Sequence, residues 1–242
     1  MKKIYIFLVF FFSFSFARDL TTCYTGYYII FPLVENCITY SNGKITANAY
    51  STPLGSLFRQ VKYNGYSHYA NKNGIKSILF YFVQIEGAHK WIHTYKFTKD
   101  YILFEKKEYK LTEKGYKYKK TIKKRIQNNG YLDPFTSSIY LYNQIFRKKD
   151  GILKIFYDGK GYNVPFKVLN EEKLKILKSK YDTIKVNLHP DFDTKGLLRP
   201  TGNWYLWVDK NLKVPVKMEL EFTIGSFKLI LNKIIWEEKH GN

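Results

Sequence analysis

The chain has 242 residues, 45% of them hydrophobic and 19% aromatic, enough apolar surface to exclude a disordered polymer. That length fits one large β domain or two small ones. Forty basic residues against twenty acidic ones give a net charge of +20 at pH 7, which attracts anionic lipid headgroups, acidic polymers or nucleic acid. The same excess also follows from a coding bias towards Lys, Ile, Tyr, Phe and Asn, with no dedicated partner.

Residues 1–17 read as a signal peptide. Lys2 and Lys3 precede an apolar run from Ile4 to Phe16, and Ser15-Phe16-Ala17 places small residues where a signal peptidase cuts. An uncleaved anchor is the alternative. No later run approaches the ~20 apolar residues of a transmembrane helix. Export makes nucleic acid the least fitting partner and places residues 18–242, one β-rich domain, in the periplasm or cell envelope. Cys23 and Cys37 then sit in an oxidising compartment. They read either as a disulfide closing a short loop or as two buried thiols.

Tyr24 to Phe31 is a strand broken by Pro32. Cys37 to Tyr40 and Lys44 to Tyr50 flank Asn42-Gly43, a strong hairpin signal. Leu57 to Tyr63 reads as a further strand, with Asn64-Gly65 and Asn71 to Gly74 as turns around Tyr66 to Ala70. Ile75 to Ile85 is the most apolar run and predicts burial on both faces. Lys90 to Phe97, Tyr101 to Tyr109 and Tyr116 to Ile126 continue the series. The last two interleave lysines with aromatics, a pattern of solvated strand faces that also blocks edge aggregation.

One stretch predicts a helix, over residues 134–149. Asp133 caps it, Pro134 suits the first turn, and Phe135, Ile139, Tyr142 and Phe146 share a face. Arg147, Lys148 and Lys149 suit the negative end of the dipole, with Gly151 as the stop. Strands resume at Ile152 to Tyr157 and Tyr162 to Leu169 around Asp158 to Gly161. A weakly alternating segment, Lys173 to Lys180, follows. Ile184, Val186 and Leu188 alternate strictly with polar residues, and Pro190 to Asn203 is a loop. Trp204, Leu206 and Val208 form one apolar row. Val214, Val216, Met218, Leu220, Phe222 and Ile224 form another, and Gly225-Ser226 turns into Phe227 to Trp236.

The chemistry-bearing residues are sparse. His89 and His93 lie about 13 Å apart if extended, too far to share an ion. His189, Asp191 and Asp193 fit turn caps better than a metal site. Ser137 and Ser138 lack a nucleophile elbow, and no Gly-rich phosphate loop precedes a helix. No metal, cofactor or catalytic residue is assigned, and a non-enzymatic protein is expected.

Three motifs carry a family likeness. They are Asp133-Pro134-Phe135-Thr136-Ser137-Ser138 followed by Ile139-Tyr140; Trp207-Val208-Asp209 followed by Val214-Pro215-Val216-Lys217; and Ile224-Gly225-Ser226-Phe227 with Leu229 and Leu231. In this order and spacing the chain resembles the bacterial envelope family known as domain of unknown function 3108. The resemblance implies an exported protein of unestablished chemistry, with an architecture similar to the open half-barrels of lipoprotein carriers.

The expected fold is therefore mainly β: one curved antiparallel sheet, an open half-barrel, with the helix on its concave face. A helix covers a strip only about 10 Å wide, so the remaining dry face must be closed by loops, filled by aromatics or occupied by a ligand. The candidate cavity residues are Phe135, Ile139, Tyr142 and Phe146 from the helix, and Trp204, Leu206, Val208, Val216, Met218, Leu220 and Phe222 from the strands. Two functions follow. One is a module binding a lipid or other amphiphile; the other is a scaffold docking on an anionic membrane surface or cell-wall polymer through basic strands.

Overall fold

The computed structural model describes residues 18–147, 149–193, 200–222 and 225–237; the expected signal peptide lies outside them. Fourteen strands form one antiparallel sheet that does not close into a barrel. The first half holds β1 (Asp19–Tyr28), β2 (Phe31–Ser41), β3 (Lys44–Ser51), the short helix α1 (Pro53–Phe58), β4 (Val61–Ala70), β5 (Lys76–Glu86), β6 (His89–Phe97), β7 (Tyr101–Thr112) and β8 (Gly115–Gln127). After α2 (Pro134–Ile145) come β9 (Gly151–Tyr157), β10 (Lys160–Ile176), β11 (Ser179–Leu188), β12 (Pro200–Asp209), β13 (Pro215–Phe222) and β14 (Gly225–Glu237).

Successive strands are neighbours throughout, and β1 pairs with β14, so β8 and β9 stand at the two ends of the order. Leu132 bridges to the outer side of β9, its N–H donating to the Lys154 carbonyl and its carbonyl accepting from the Phe156 N–H, both at 2.8 Å. Near the middle of the sheet, Cys23 stands opposite Cys37 across β1 and β2, and a disulfide joins them. At the β2–β3 turn Gly43 adopts φ +73°, the left-handed conformation that glycine tolerates at least cost.

Helix α2 forms for the reasons its sequence gives. The Asp133 carboxylate accepts from the backbone N–H groups of Phe135 and Thr136 at 2.9 and 3.0 Å, and Pro134 occupies the first turn. Its other oxygen accepts from the hydroxyls of Ser67 on β4 and Ser77 on β5 at 2.8 and 2.6 Å. The cap therefore also anchors the helix to the sheet. Ile139, Leu141, Tyr142 and Ile145 share one core with Leu20, Tyr40, Ile45 and Tyr69 from the first half and with Leu153, Val164, Ile184, Val186 and Val208 from the second. Strands so far apart in the order reach one helix only if the sheet curves around it.

Several expectations need correction. The helix ends at Ile145 with Phe146 as its cap, and Gly151 opens β9 rather than stopping the helix. Pro32 lies inside β2 instead of ending a strand. Residues 53–58 are helical, because Thr52 accepts from the Gly55 N–H and Pro53 suits the first turn. Asn64-Gly65 is mid-strand: a Cβ on Gly65 would stand 2.6 Å from the Tyr81 carbonyl, so glycine permits β4 to lie close to β5. β5 is not buried on both faces; Ile78, left unpaired where the register with β4 shifts, is exposed. β10 runs on to Ile176, so residues 173–180 span the end of one strand, a turn and the start of the next. The single dry row of β13 is broken by a bulge opposite Trp207 and Val208, and Val214, Pro215 and Val216 are all buried. Thr223 and Ile224 lie outside the described residues.

Candidate functional site

The space around α2 divides into a filled part and an open part. On the side of β5 to β7, aromatic rings fill it. Phe156 from β9 meets Tyr95 and Phe104 with ring centroids 5.1 and 6.2 Å apart, and Phe80 stacks on Tyr95 at 4.8 Å. On the side of β1 to β4, β13 and β14, the same face holds a cavity of about 760 Å³. Its walls include Gly26 and Tyr28 from β1, Val34 and Ile38 from β2, Ala49 from β3, Val61 and Tyr63 from β4, and Met218, Leu220 and Phe222 from β13. Small residues, Gly26 and Ala49, stand where larger side chains would fill it.

The mouth lies at the end of the strands where β1 turns into β2. Ile29 and Phe31 of that turn and Phe58 and Arg59 at the end of α1 form its lip. Helix α1 is held hard against β2. A Cβ on Gly55 would lie 2.0 Å from the Leu33 carbonyl oxygen, the Thr52 hydroxyl donates to the Pro32 carbonyl at 2.6 Å, and the Ser51 hydroxyl donates to the Arg59 carbonyl at 2.9 Å.

Among the described residues, Arg59 is the one charged side chain on the cavity wall. Its guanidinium lies 3.6 Å from one oxygen of Glu86, a buried side chain. The other Glu86 oxygen accepts from the Tyr63 hydroxyl and the Gln84 amide, both at 2.6 Å. Burial, reinforced by the Glu86 charge, pushes the Tyr63 phenol up, so it stays a neutral donor. The arrangement offers an apolar chamber with one cation at its rim. Among the described residues no three His, Cys, Asp or Glu side chains gather as a metal site would need.

The residues proposed from sequence divide sharply. Met218, Leu220 and Phe222 line the cavity. Trp204 stands behind that wall, its ring 5.5 Å from Phe222 and its indole N–H donating to the Glu221 carbonyl at 2.8 Å. Ile139 and Tyr142, with Leu206 and Val208, belong to the packed core under α2, with Phe135 and Phe146 packed against it. Val216 packs with Tyr24, Trp207 and Leu231. The lip was missed altogether, although Thr52-Pro53 carries the same cap-and-proline signal as Asp133-Pro134.

No curated protein matches the chain. Among solved structures, it is similar to a beta-barrel-like protein of domain of unknown function DUF1849 from Brucella abortus, with 9% identity and a TM-score of 0.45 over 90% of this chain and 98% of that one. It is also similar to a putative outer membrane lipoprotein-sorting protein domain from Vibrio parahaemolyticus, with 10% identity and a TM-score of 0.29 over 94% and 88%. The family described as protein of unknown function (DUF3108) matches residues 39–232, which hold the capped helix, the Trp207–Asp209 end of β12 and the cavity walls from β3, β4, β13 and β14 but not those from β1 and β2, and the chain belongs to that family.

Proposed function

We propose that this protein is an exported, non-enzymatic binding module of the cell envelope whose ligand is an apolar or amphiphilic, lipid-like molecule held in the cavity. The single observation that carries the reading is the chamber of about 760 Å³, which falls within the ~300–1,000 Å³ of small-molecule sites and is walled almost wholly by hydrocarbon and aromatic side chains. Nearly one residue in five is aromatic, and such rings fill the opposite side of the helix. The space bounded by Gly26 and Ala49 is left open in a protein well supplied with bulk to close it. A ligand there buries its apolar part against Val34, Ile38 and Leu220 and leaves its polar end at the mouth near Arg59. The disulfide supports export to an oxidising compartment.

The test is to purify the protein from membranes under mild conditions, extract it with solvent and identify lipids by mass spectrometry, alongside titration with an apolar fluorescent probe. A stoichiometric co-purifying lipid and probe uptake are expected. Ala49→Phe, which fills the chamber, should weaken uptake at least about tenfold, the equivalent of ~1.4 kcal/mol. Emission of Met218→Trp should respond to the probe, while that of Phe146→Trp in the core should not. No lipid and no uptake would overturn the reading.

A further inference from the structure

Among the described residues, four of the five most exposed large apolar side chains stand at the cavity mouth. Ile29 and Ile30 are 72% and 74% exposed at the β1–β2 tip, and Leu57 and Phe58 are 82% and 75% exposed on α1. Phe31 and Tyr50 beside them are also exposed. The tip contradicts turn chemistry. Two-residue hairpin turns favour Gly, Asn or Asp, yet Ile29 holds φ +57°, a conformation in which a β-branched side chain is strained. Strain of this kind survives where the residue serves something other than stability.

Charge on the same end indicates the partner. In an antiparallel meander alternate connections lie at one end, so the β1–β2 tip, α1, the β5–β6 turn and the β7–β8 turn share it. Hydrogen bonds join them into one rim. The Gly87 N–H donates to the Gln60 carbonyl at 2.8 Å, the Leu111 N–H to the Ala88 carbonyl at 2.7 Å, and the Tyr116 hydroxyl to the Gly87 carbonyl at 2.9 Å. The β7–β8 part of this rim carries exposed Lys110, Lys114, Lys117 and Lys119 around exposed Leu111 and Tyr118, against a single exposed acid, Glu113, while Lys120 pairs with Glu108 at 3.4 Å. Lys110 stands directly opposite Lys117 across the two strands. Like charges in that position destabilise a ladder, and an anionic surface would relieve the repulsion.

We infer that this end of the molecule docks on an anionic lipid bilayer. Ile29, Ile30, Leu57 and Phe58 enter the acyl boundary and the β7–β8 lysines sit among the headgroups. The cavity mouth then faces the membrane. The inference concerns the lip and the hairpin and goes beyond the cavity reading, which supplies only its purpose.

The test uses flotation of the whole protein with vesicles of phosphatidylcholine, alone or mixed with phosphatidylglycerol. Binding to the mixed vesicles, weakened in ~1 M salt where the screening length is about 3 Å, is expected. Ile29→Gly combined with Ile30→Asn supplies the residues such a turn prefers, so the fold should be at least as stable. Its vesicle binding should fall about tenfold or more through the lost apolar insertion. Lys110→Glu with Lys117→Glu should abolish the preference for anionic vesicles. Absence of wild-type binding, or unchanged binding in the tip variant, overturns the inference. So does a dimer in sedimentation that the tip variant dissolves, because the lip would then belong to a second copy. Lys110 and Lys117 lie outside the cavity wall, so soluble probe uptake stays intact in the Lys110→Glu, Lys117→Glu variant if the cavity reading holds, and the two readings fail separately.

Discussion

At the scale of single residues, two buried groups carry predictions of opposite sign. His93 is buried between Phe82 and Tyr157, and burial, with Lys106 nearby, lowers its pKa from 6.5 to about 4 despite Asp158. It folds neutral and takes up a proton only on unfolding in this range. Acidification from about pH 6.5 towards 4 therefore costs stability, of order 3 kcal/mol in full. Thermal melts across that window should show the loss, and His93→Phe, which keeps the ring, should flatten it. Asp133 behaves in reverse. Burial raises its carboxyl above the ordinary 3.8, against the hydrogen bonds from Ser77, Thr136 and Ser67. Its contribution is complete below pH 3.8 and declines as pH rises through the higher folded value. Asp133→Ala leaves the first-turn N–H groups and two serines without their acceptor, at a cost of about 3–5 kcal/mol. Asp133→Asn keeps the cap oxygen, so chemical denaturation should find it much less harmful.

Elements depend on close approaches that single residues permit. Helix α1 can lie on β2 only because residue 55 has no side chain. Gly55→Ala should push α1 away from Leu33, costing about 1–3 kcal/mol, and should change the affinity for an apolar probe because the lip moves with it. Melting temperature and probe titration check both. How far such elements were legible depends on whether their cause is local. Asp133-Pro134 is a local signal, and the helix starts there. Alternation in Ile184 to Leu188 is local too, and it gives a strand. Asn64-Gly65 is a turn signal overridden from outside, since Gly65 accommodates the neighbouring backbone of Tyr81. The bulge opposite Trp207 depends on the partner strand, so the row from Val214 to Phe222 could not be assigned to one face from its own pattern.

For the whole molecule, the curved open sheet follows from one helix among many alternating strands, but the cavity's position does not. Residues from β1 to β4 line it with those of β13 and β14, and β1 meets β14 only through a pairing that no local pattern announces. Alternation alone puts Met218, Leu220 and Phe222 on one dry row, while nothing local joins Gly26, Ala49 or the lip to that row. The other side of the molecule is a seam. Phe156 on the last strand of the order packs into rings from β6 and β7, and Lys106 pairs with Asp158 at 2.7 Å beside it. Side chains thus draw the sheet's ends together where no backbone ladder does. Phe156→Ala should cost about 3–5 kcal/mol; the denaturant midpoint should fall accordingly, and amide exchange should quicken in β6 and β9 first.

The pairing of Asp19 with Glu237 has a kinetic consequence. The arms β1–β8 and β9–β14 are built from successive hairpins, which close short loops and form quickly. The ladder between the arms joins the most distant parts of the chain and closes slowly. Until β14 arrives, β1 is an open edge displaying Leu20 and Tyr24, and the fastest route for such an edge is to pair with another molecule. The yield of folded protein is therefore set by a race between the last hairpin and aggregation, and it should fall as concentration rises during refolding.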